Sequence, residues 1–161
     1  MTQSRKAAPT TTVVQLPLFA TLAIYTRVTT EQGNQAEPAQ VETLRNYAST
    51  LGYGNEQVIV FCDAAAKAAT PLLERQGYTA LVTAIRENVV SVILLHVGER
   101  IFEGATELQV NAFIYLCMEK AVFIVTSQTI YDMQDLSHVA LFRKHFAPTC
   151  AGLEEAVKVR A

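Results

Sequence analysis

An arginine and a hydroxyl residue follow the first apolar run of the chain. The segment reads AIYTRVTT, residues 23–30, and places Arg27 two positions before Thr29. Because side chains alternate along a strand, residues two apart emerge on the same side. A cation beside an oxygen nucleophile suits phosphoryl transfer, in which the phosphate charge is held while a hydroxyl attacks in line. The spacing therefore predicts an anion site at the end of a first strand, with Thr29 as the candidate nucleophile.

More charged and polar residues follow the later predicted strands or begin the predicted helices. In open parallel sheets, ligands gather at the carboxyl ends of the strands. We therefore expect these residues to converge on the edge that carries Arg27, where several arginines together favour a bound anion. They are Asp63 after the second strand, Arg75 early in the second helix, and Glu99 with Arg100 after the third strand.

The elements that must position these residues alternate between strand and helix, which favours a parallel sheet with right-handed crossovers. The predicted fold is α/β, a three-layer domain with a mostly parallel sheet of four to five strands flanked by helices. Residues 1–20 are predicted to be a flexible arm, and residues 21–161 the domain. The predicted strands are 21–28, 57–62, 89–96 and 121–126, and the predicted helices are 38–51, 71–87, 104–119 and one that begins near 136.

Composition narrows the function classes. With 161 residues, half of them hydrophobic, the chain can bury one sizeable core. A net charge of −2 gives no basic excess, which argues against tight DNA binding by the chain alone. The chain has no apolar run of about 18 residues, so no membrane helix is predicted. Three widely spaced cysteines predict buried reduced thiols in a cytoplasmic protein, and neither a metal nor a nucleotide cofactor is predicted.

Taken in order, these segments resemble the serine recombinases of the resolvase/invertase family over roughly residues 22–160. Residues 25–30, YTRVTT, are similar to the family motif Tyr-x-Arg-Val-Ser-Thr, with Thr29 where the family has its nucleophilic serine. The resemblance implies a resolvase-like catalytic domain that cuts DNA through a covalent phospho-protein intermediate. It also implies a homodimer or a partner recombinase, DNA as substrate, and an origin in a mobile element. The implied catalytic residues are Thr29, Arg27, Arg75, Arg100, Glu99, Gln40 and Asp63.

Three departures from the family pattern predict weak or lost cleavage. In the motif Asp-Arg-x-x-Arg, Glu103 replaces the second arginine, and we expect it one helical turn from Arg100 and facing the site. A carboxylate about 4 Å from a phosphate oxygen opposes binding by roughly 4 kcal/mol. The methyl group of Thr29 crowds in-line attack. The loop after Asp63 has Ala66 and Lys67 where the family has Ser-Gly.

The end of the chain is predicted to depart as well. Pro148 should end the last helix near Ala147, and no C-terminal DNA-binding domain is predicted. Three function classes stay open at this point: a recombinase catalytic domain, a non-catalytic relative that acts as a binding or regulatory subunit, and an unrelated doubly wound domain that binds a small anion. The ordered motifs favour the recombinase family, with strand cleavage weak or lost.

Overall fold

Strands and helices alternate in the computed structural model, which describes residues 14–29, 36–65 and 71–147, with the backbone alone at 28–29, 36–38 and 64–65. The α/β architecture predicted from the sequence is confirmed, with five strands. The elements are β1 (Leu22–Thr29), α1 (Ala36–Thr50), β2 (Val58–Ala65), α2 (Gln76–Arg86), β3 (Val92–Leu95), α3 (Glu107–Glu119), β4 (Phe123–Val125), β5 (Ile130–Asp132) and α4 (Leu136–Phe146).

The sheet has the strand order β2-β1-β3-β4-β5. The first four strands are parallel, and only β5 runs antiparallel, with Tyr131 opposite Ile124. Strand β1 pairs with β2 along its whole length but with β3 only as far as Tyr25 opposite Leu95. The end of β1 therefore extends beyond β3, and this leaves space on that side for the loop that follows β3.

The two faces of the sheet bury separate cores, because alternate residues of each strand point to opposite sides. Leu22 and Ile24 of β1 pack with Leu44 of α1. Ala23 and Tyr25 belong to the larger core on the other face. Helices α2, α3 and α4 cover that face, through Leu81, Ile85, Val110, Phe113, Phe142 and Phe146. All four residues of β3 are buried, as expected for a strand covered on both faces.

The second helix differs from its predicted span of 71–87. A short 3₁₀ turn, Leu72–Glu74, precedes α2, and Arg75 between them has extended backbone with φ −78° and ψ 113°. Arg75 is thus the residue that immediately precedes α2, whereas the sequence placed it inside the helix. The third helix was predicted to begin near residue 104, and this is also wrong. Residues 101–104 form a turn instead, and α3 begins at Glu107. Thr106 caps α3, and its hydroxyl accepts a hydrogen bond from the backbone N–H of Gln109.

Helix α4 ends at Phe146 with Ala147 as its cap, which confirms the predicted end. Cys117 is buried and Cys62 partly buried, and neither forms a disulfide within the part of the chain that the structure describes. None of the helices among the described residues is long and apolar enough to cross a membrane. Four predictions lie outside the described residues: the arm before residue 14, the loop with Ala66 and Lys67, Cys150, and the chain from Pro148 onward.

Candidate functional site

The predicted site residues lie around the carboxyl ends of β1, β2 and β3. Arg27 and Asp63 are register partners on neighbouring strands, and Glu99 and Arg100 follow β3 after a short turn. Thr29 is the last residue of β1, opposite Ala65, and only its backbone is described. Gln40 is partly exposed in the second turn of α1, the helix that follows β1.

Asp63 is buried, and it accepts hydrogen bonds from residues of the neighbouring strand and helix. Its carboxylate accepts a hydrogen bond from the Tyr25 hydroxyl at 2.6 Å, and others from the backbone N–H groups of Gly77 at 2.6 Å and Tyr78 at 2.9 Å. Those N–H groups belong to the first turn of α2, where helix donors lack intrahelical partners and an anion is stabilised. Asp63 thereby ties the start of α2 to β2, and so fixes the position of Arg75 just before the helix.

The Tyr25 hydroxyl contributes to this network as a donor. Burial, and then its hydrogen bond to Asp63, raises the pKa of Tyr25 well above the usual value for a phenol. The phenol therefore keeps its proton at neutral pH, and the Asp63 carboxylate keeps all three of its donors.

Gly77 permits the close approach of α2 to β2. A Cβ atom at this position would lie 2.7 Å from the carbonyl oxygen of Cys62 and 2.8 Å from Oδ1 of Asp63. Both distances are shorter than side chains tolerate, so a larger residue would push the helix away from the strand. The two backbone N–H groups at the start of α2 reach Asp63 because position 77 has no side chain.

Arg27 pairs with Glu103, a residue 76 positions later in the chain. Its Nη1 lies 2.7 Å from Oε2 of Glu103, and the Arg27 side chain is only 4% exposed. The second contact of this carboxylate is weaker, since Nη1 of the exposed Arg100 lies 3.8 Å from Oε1. Glu103 thus contacts Arg100 as predicted, but its main partner is Arg27. Nε and Nη2 of Arg27 are buried and lack a hydrogen-bond partner among the described residues.

Arg75 holds the backbone of the turn that carries Glu103. Its Nη1 donates to the carbonyl oxygen of Ile101 at 2.7 Å, and its Nη2 donates to the carbonyl oxygen of Glu103. Arg75 is 3% exposed. Three elements therefore meet at one place: the end of β1 through Arg27, the start of α2 through Arg75, and the turn 101–104.

Glu99 is partly buried beside the same arginines. Burial raises its pKa to about 7, although hydrogen bonds from the backbone of Arg100 and Arg27 and the charge of Arg27 lower it. A carboxyl group with this pKa exchanges its proton near neutral pH, as a general acid or base must. The raised pKa of Glu99 therefore suits this carboxyl group to proton transfer in the site.

The charges of the site nearly cancel. The arginines Arg27, Arg75 and Arg100 face the carboxyl groups of Asp63, Glu99 and Glu103. A phosphodiester would find two nitrogens of Arg27, Nε and Nη2, that have no partner among the described residues, but also the carboxylate of Glu103. The described residues contain no group of three side chains that could hold a metal ion.

Two contributors to the site were missed in the sequence. Tyr25 stands two positions before Arg27 in the segment YTRVTT, and Gly77 stands two positions after Arg75. The signal for Gly77 was a glycine at the start of a helix, because glycine stabilises a helix less than other residues do and its presence there indicates another role. No sequence signal indicates the carbonyl oxygens of residues 101 and 103 as partners of Arg75.

Comparison with known proteins shows which structures share this fold. Among curated proteins no sequence matches the chain. The crystal structure of the N-terminal catalytic domain of TP901-1 integrase is similar, with a TM-score of 0.56 and 19% identity, over 86% of this chain and 96% of that chain. The C-terminal catalytic domain of ISC1926 TnpA, an IS607-like serine recombinase, matches with a TM-score of 0.41 and 19% identity, over 85% of this chain and 98% of that one.

A family model described as "Resolvase, N terminal domain" matches residues 22–147. That span contains every strand and helix of the fold and all the predicted site residues. The chain therefore belongs to the resolvase family of serine recombinases, of which it carries the N-terminal domain.

Proposed function

We propose that this chain acts on DNA as the catalytic-domain part of a site-specific serine recombinase in which strand cleavage is weak or lost. The unit is residues 21–161, and it works as a homodimer or beside a partner recombinase. Thr29 is the candidate nucleophile, and Arg27, Arg75, Arg100, Glu99 and Gln40 are the candidate phosphate and proton-transfer groups.

The ion pair between Arg27 and Glu103 carries this proposal. At 2.7 Å, the carboxylate of Glu103 occupies one donor of Arg27, near the end of β1, and Glu103 stands at the position where the family motif supplies a further arginine. Glu103 therefore removes a phosphate donor and adds a negative charge, whose repulsion is about 4 kcal/mol at about 4 Å. Loss of one transition-state donor alone lowers a rate about 100-fold or more. Together these effects suppress in-line attack even where DNA is bound.

The alternative is a non-catalytic binding or regulatory subunit that keeps the recombinase fold. The net charge of −2 supports it, because a chain with no basic excess binds duplex DNA weakly and loses it readily as salt rises. Such a subunit would act through the recombinase it assembles with. The two functions differ in one observable, a covalent bond between the protein and DNA.

The test supplies DNA binding from outside. The chain is fused to a DNA-binding module of known site, so that effective concentration replaces intrinsic affinity, and is given DNA with a crossover site beside the module's site. Covalent protein–DNA adducts are counted on denaturing gels. We expect no adduct from the wild-type chain. We expect the double variant Thr29→Ser/Glu103→Arg to form more adduct than either single variant, because it restores both the primary hydroxyl and the arginine.

The variant Thr29→Ala/Glu103→Arg is the control that must form no adduct. Abundant adduct from the wild-type chain, lost in Thr29→Ala, would show that threonine is a working nucleophile and that cleavage is intact. An inactive double variant, with a wild-type chain that alters cleavage by a co-assembled active recombinase, would favour the regulatory subunit.

A further inference from the structure

Two buried arginines from different elements hold one short turn. Arg27, near the end of β1, pairs with the carboxylate of Glu103, while Arg75, before α2, donates to the carbonyl oxygens of Ile101 and Glu103. The turn 101–104 ends at Gly104 with φ +77°. One four-residue segment therefore engages both cations, through a side chain in one case and through the backbone in the other.

The contact between Arg27 and this turn is incomplete. A guanidinium group carries five N–H donors, and the Nε–Nη2 edge matches two oxygens of a carboxylate or a phosphate. On Arg27, both nitrogens of this edge are buried and have no partner among the described residues. Buried donors without acceptors are costly and are uncommon in native proteins. The unfilled edge therefore points to a ligand with at least two acceptor oxygens.

We propose that Glu103 and Gly104, the end of the turn 101–104 that lies outside the core, form a latch that fills the anion site with the protein's own carboxylate. In the closed form, the carboxylate of Glu103 occupies Arg27, and its carbonyl oxygen occupies Nη2 of Arg75. In the open form, Glu103 moves away and both guanidinium groups bind one phosphate. The inference rests on the proposed function in taking a phosphodiester as the natural ligand, but inorganic phosphate is sufficient to test it.

Ile101 is fully buried and Phe102 is 5% exposed, so these two residues stay in the core when the latch opens. The latch itself is held more loosely. The carboxylate of Glu103 is 32% exposed, and its second partner, Arg100, is 78% exposed, where an ion pair contributes little. A Cβ atom on Gly104 would meet nothing within 4 Å, so this end of the latch borders open space. Opening breaks the ion pair with Arg27 and the hydrogen bond from Nη2 of Arg75 to the carbonyl oxygen of Glu103, while the bond from Nη1 to Ile101 stays. A phosphate oxygen can replace each of the two acceptors that are lost. Phosphate and Glu103 therefore compete for the same cations.

The direct test titrates inorganic phosphate into the full chain. The Nε–H resonance of Arg27 is followed by ¹H–¹⁵N NMR, because this donor lacks an acceptor in the closed form and gains one from phosphate. In Glu103→Gln, where the competing charge is gone, we expect phosphate to bind at least tenfold more tightly than in wild type. The matched control is Glu119→Gln, which removes an equal charge from an exposed position at the far end of α3 and should leave the affinity unchanged.

A second variant opens the latch without any change of charge. Gly104→Ala forces an L side chain into a left-handed backbone conformation while its methyl group contacts nothing, so only the turn is strained. We expect phosphate to bind about fivefold more tightly than in wild type. The matched control is Gly52→Ala, also at positive φ but at the end of α1, which should lower stability and leave phosphate affinity as it is.

Three outcomes decide the inference. Equal phosphate affinity in the wild type, Glu103→Gln and Gly104→Ala would overturn it. A gain in Glu103→Gln that persists when Arg27→Gln is added would place the anion elsewhere and would also overturn it. A gain that depends on Arg27 supports the latch even if Thr29→Ser/Glu103→Arg forms no adduct with DNA, and in that case only the proposed strand cleavage fails.

Discussion

Two charged residues that face each other across β1 and β2 differ in how well their hydrogen bonds are satisfied. The carboxylate of Asp63 accepts three hydrogen bonds, from Tyr25, Gly77 and Tyr78. The guanidinium of Arg27 makes one ion pair and leaves two buried nitrogens without a partner among the described residues. Both side chains are more than nine-tenths buried. Burial therefore does not explain the difference.

This difference separates residues that maintain the structure of the site from residues that have donors available for a ligand. A buried charge with every bond satisfied stabilises the fold, and a ligand could only compete with those bonds. A buried charge with unfilled donors keeps capacity for an incoming group. On this basis, Asp63 positions Arg75 and α2, although the family resemblance placed it in the catalytic set. Arg27 is the residue that would contact the phosphate. Both assignments remain predictions, and the variants below test them.

The largest effect is expected from Asp63→Asn. The carboxylate only accepts hydrogen bonds, whereas the nitrogen of the asparagine amide only donates them. At least one of the three buried donors that contact Asp63 therefore loses its acceptor. We expect a loss of about 3 kcal/mol in the free energy of unfolding, measured by urea denaturation. Asp135→Asn is the matched control, because Asp135 also caps a helix, α4, but is exposed, and its loss should be smaller. Equal losses of unfolding free energy in the two variants would show that the three buried hydrogen bonds of Asp63 stabilise the fold no more than an exposed helix cap does.

Gly77→Ala should give the next largest effect. Its methyl group would stand 2.7 Å from the Cys62 carbonyl oxygen, so α2 must shift away from Asp63. We expect about 2 kcal/mol of destabilisation in the same urea assay, as is typical of overpacking. In the control Gly54→Ala, the added methyl meets only the flexible carboxylate of Glu56. That variant should be near wild type, and similar losses in both would contradict the close approach at Gly77.

The third prediction concerns Glu99, on the ligand side of the comparison, and its effect is about as large as that of Gly77→Ala. Its pKa is raised from 4.5 to about 7, so the folded state binds this proton more tightly than the unfolded chain does. This stabilisation is complete below about pH 4.5 and is lost as the pH rises through about 7. Relative to Glu99→Gln, the wild type should lose about 2 kcal/mol of unfolding free energy across that range, allowing for partial solvent contact.

Urea denaturation at several pH values measures the difference between wild type and Glu99→Gln, in which the other titrating groups cancel. Glu119→Gln serves as the control for removal of a carboxyl group, and its profile should run parallel to that of wild type. A pH-independent difference between wild type and Glu99→Gln would show that the pKa of Glu99 is the same in the folded and unfolded states, which would contradict the raised pKa.

The sequence by itself determined which elements form and which residues stand at their ends. Apolar runs and helix-breaking residues predicted β1 to β4 and the four helices, and α4 ends at the residue expected before Pro148. These signals are local, since periodicity and caps depend on neighbours a few positions away. The placement of Arg27 near the end of β1, and of Glu99 and Arg100 after β3, followed from the same patterns. The short antiparallel β5 was missed, because three residues are too few to show an alternation.

Only the tertiary structure decided which of these residues meet. Glu103 was expected beside Arg100 on a helix, whereas a turn carries it to Arg27, 76 positions away in the chain. Arg75 was expected to face an anion, and the fold gives it carbonyl oxygens of that turn. Partners over such distances depend on loop conformations and on how closely α2 approaches β2, and no local pattern encodes either. A buried charge takes the acceptor that the assembled fold brings within about 3 Å, because any other arrangement leaves it unpaired in a poorly solvated place.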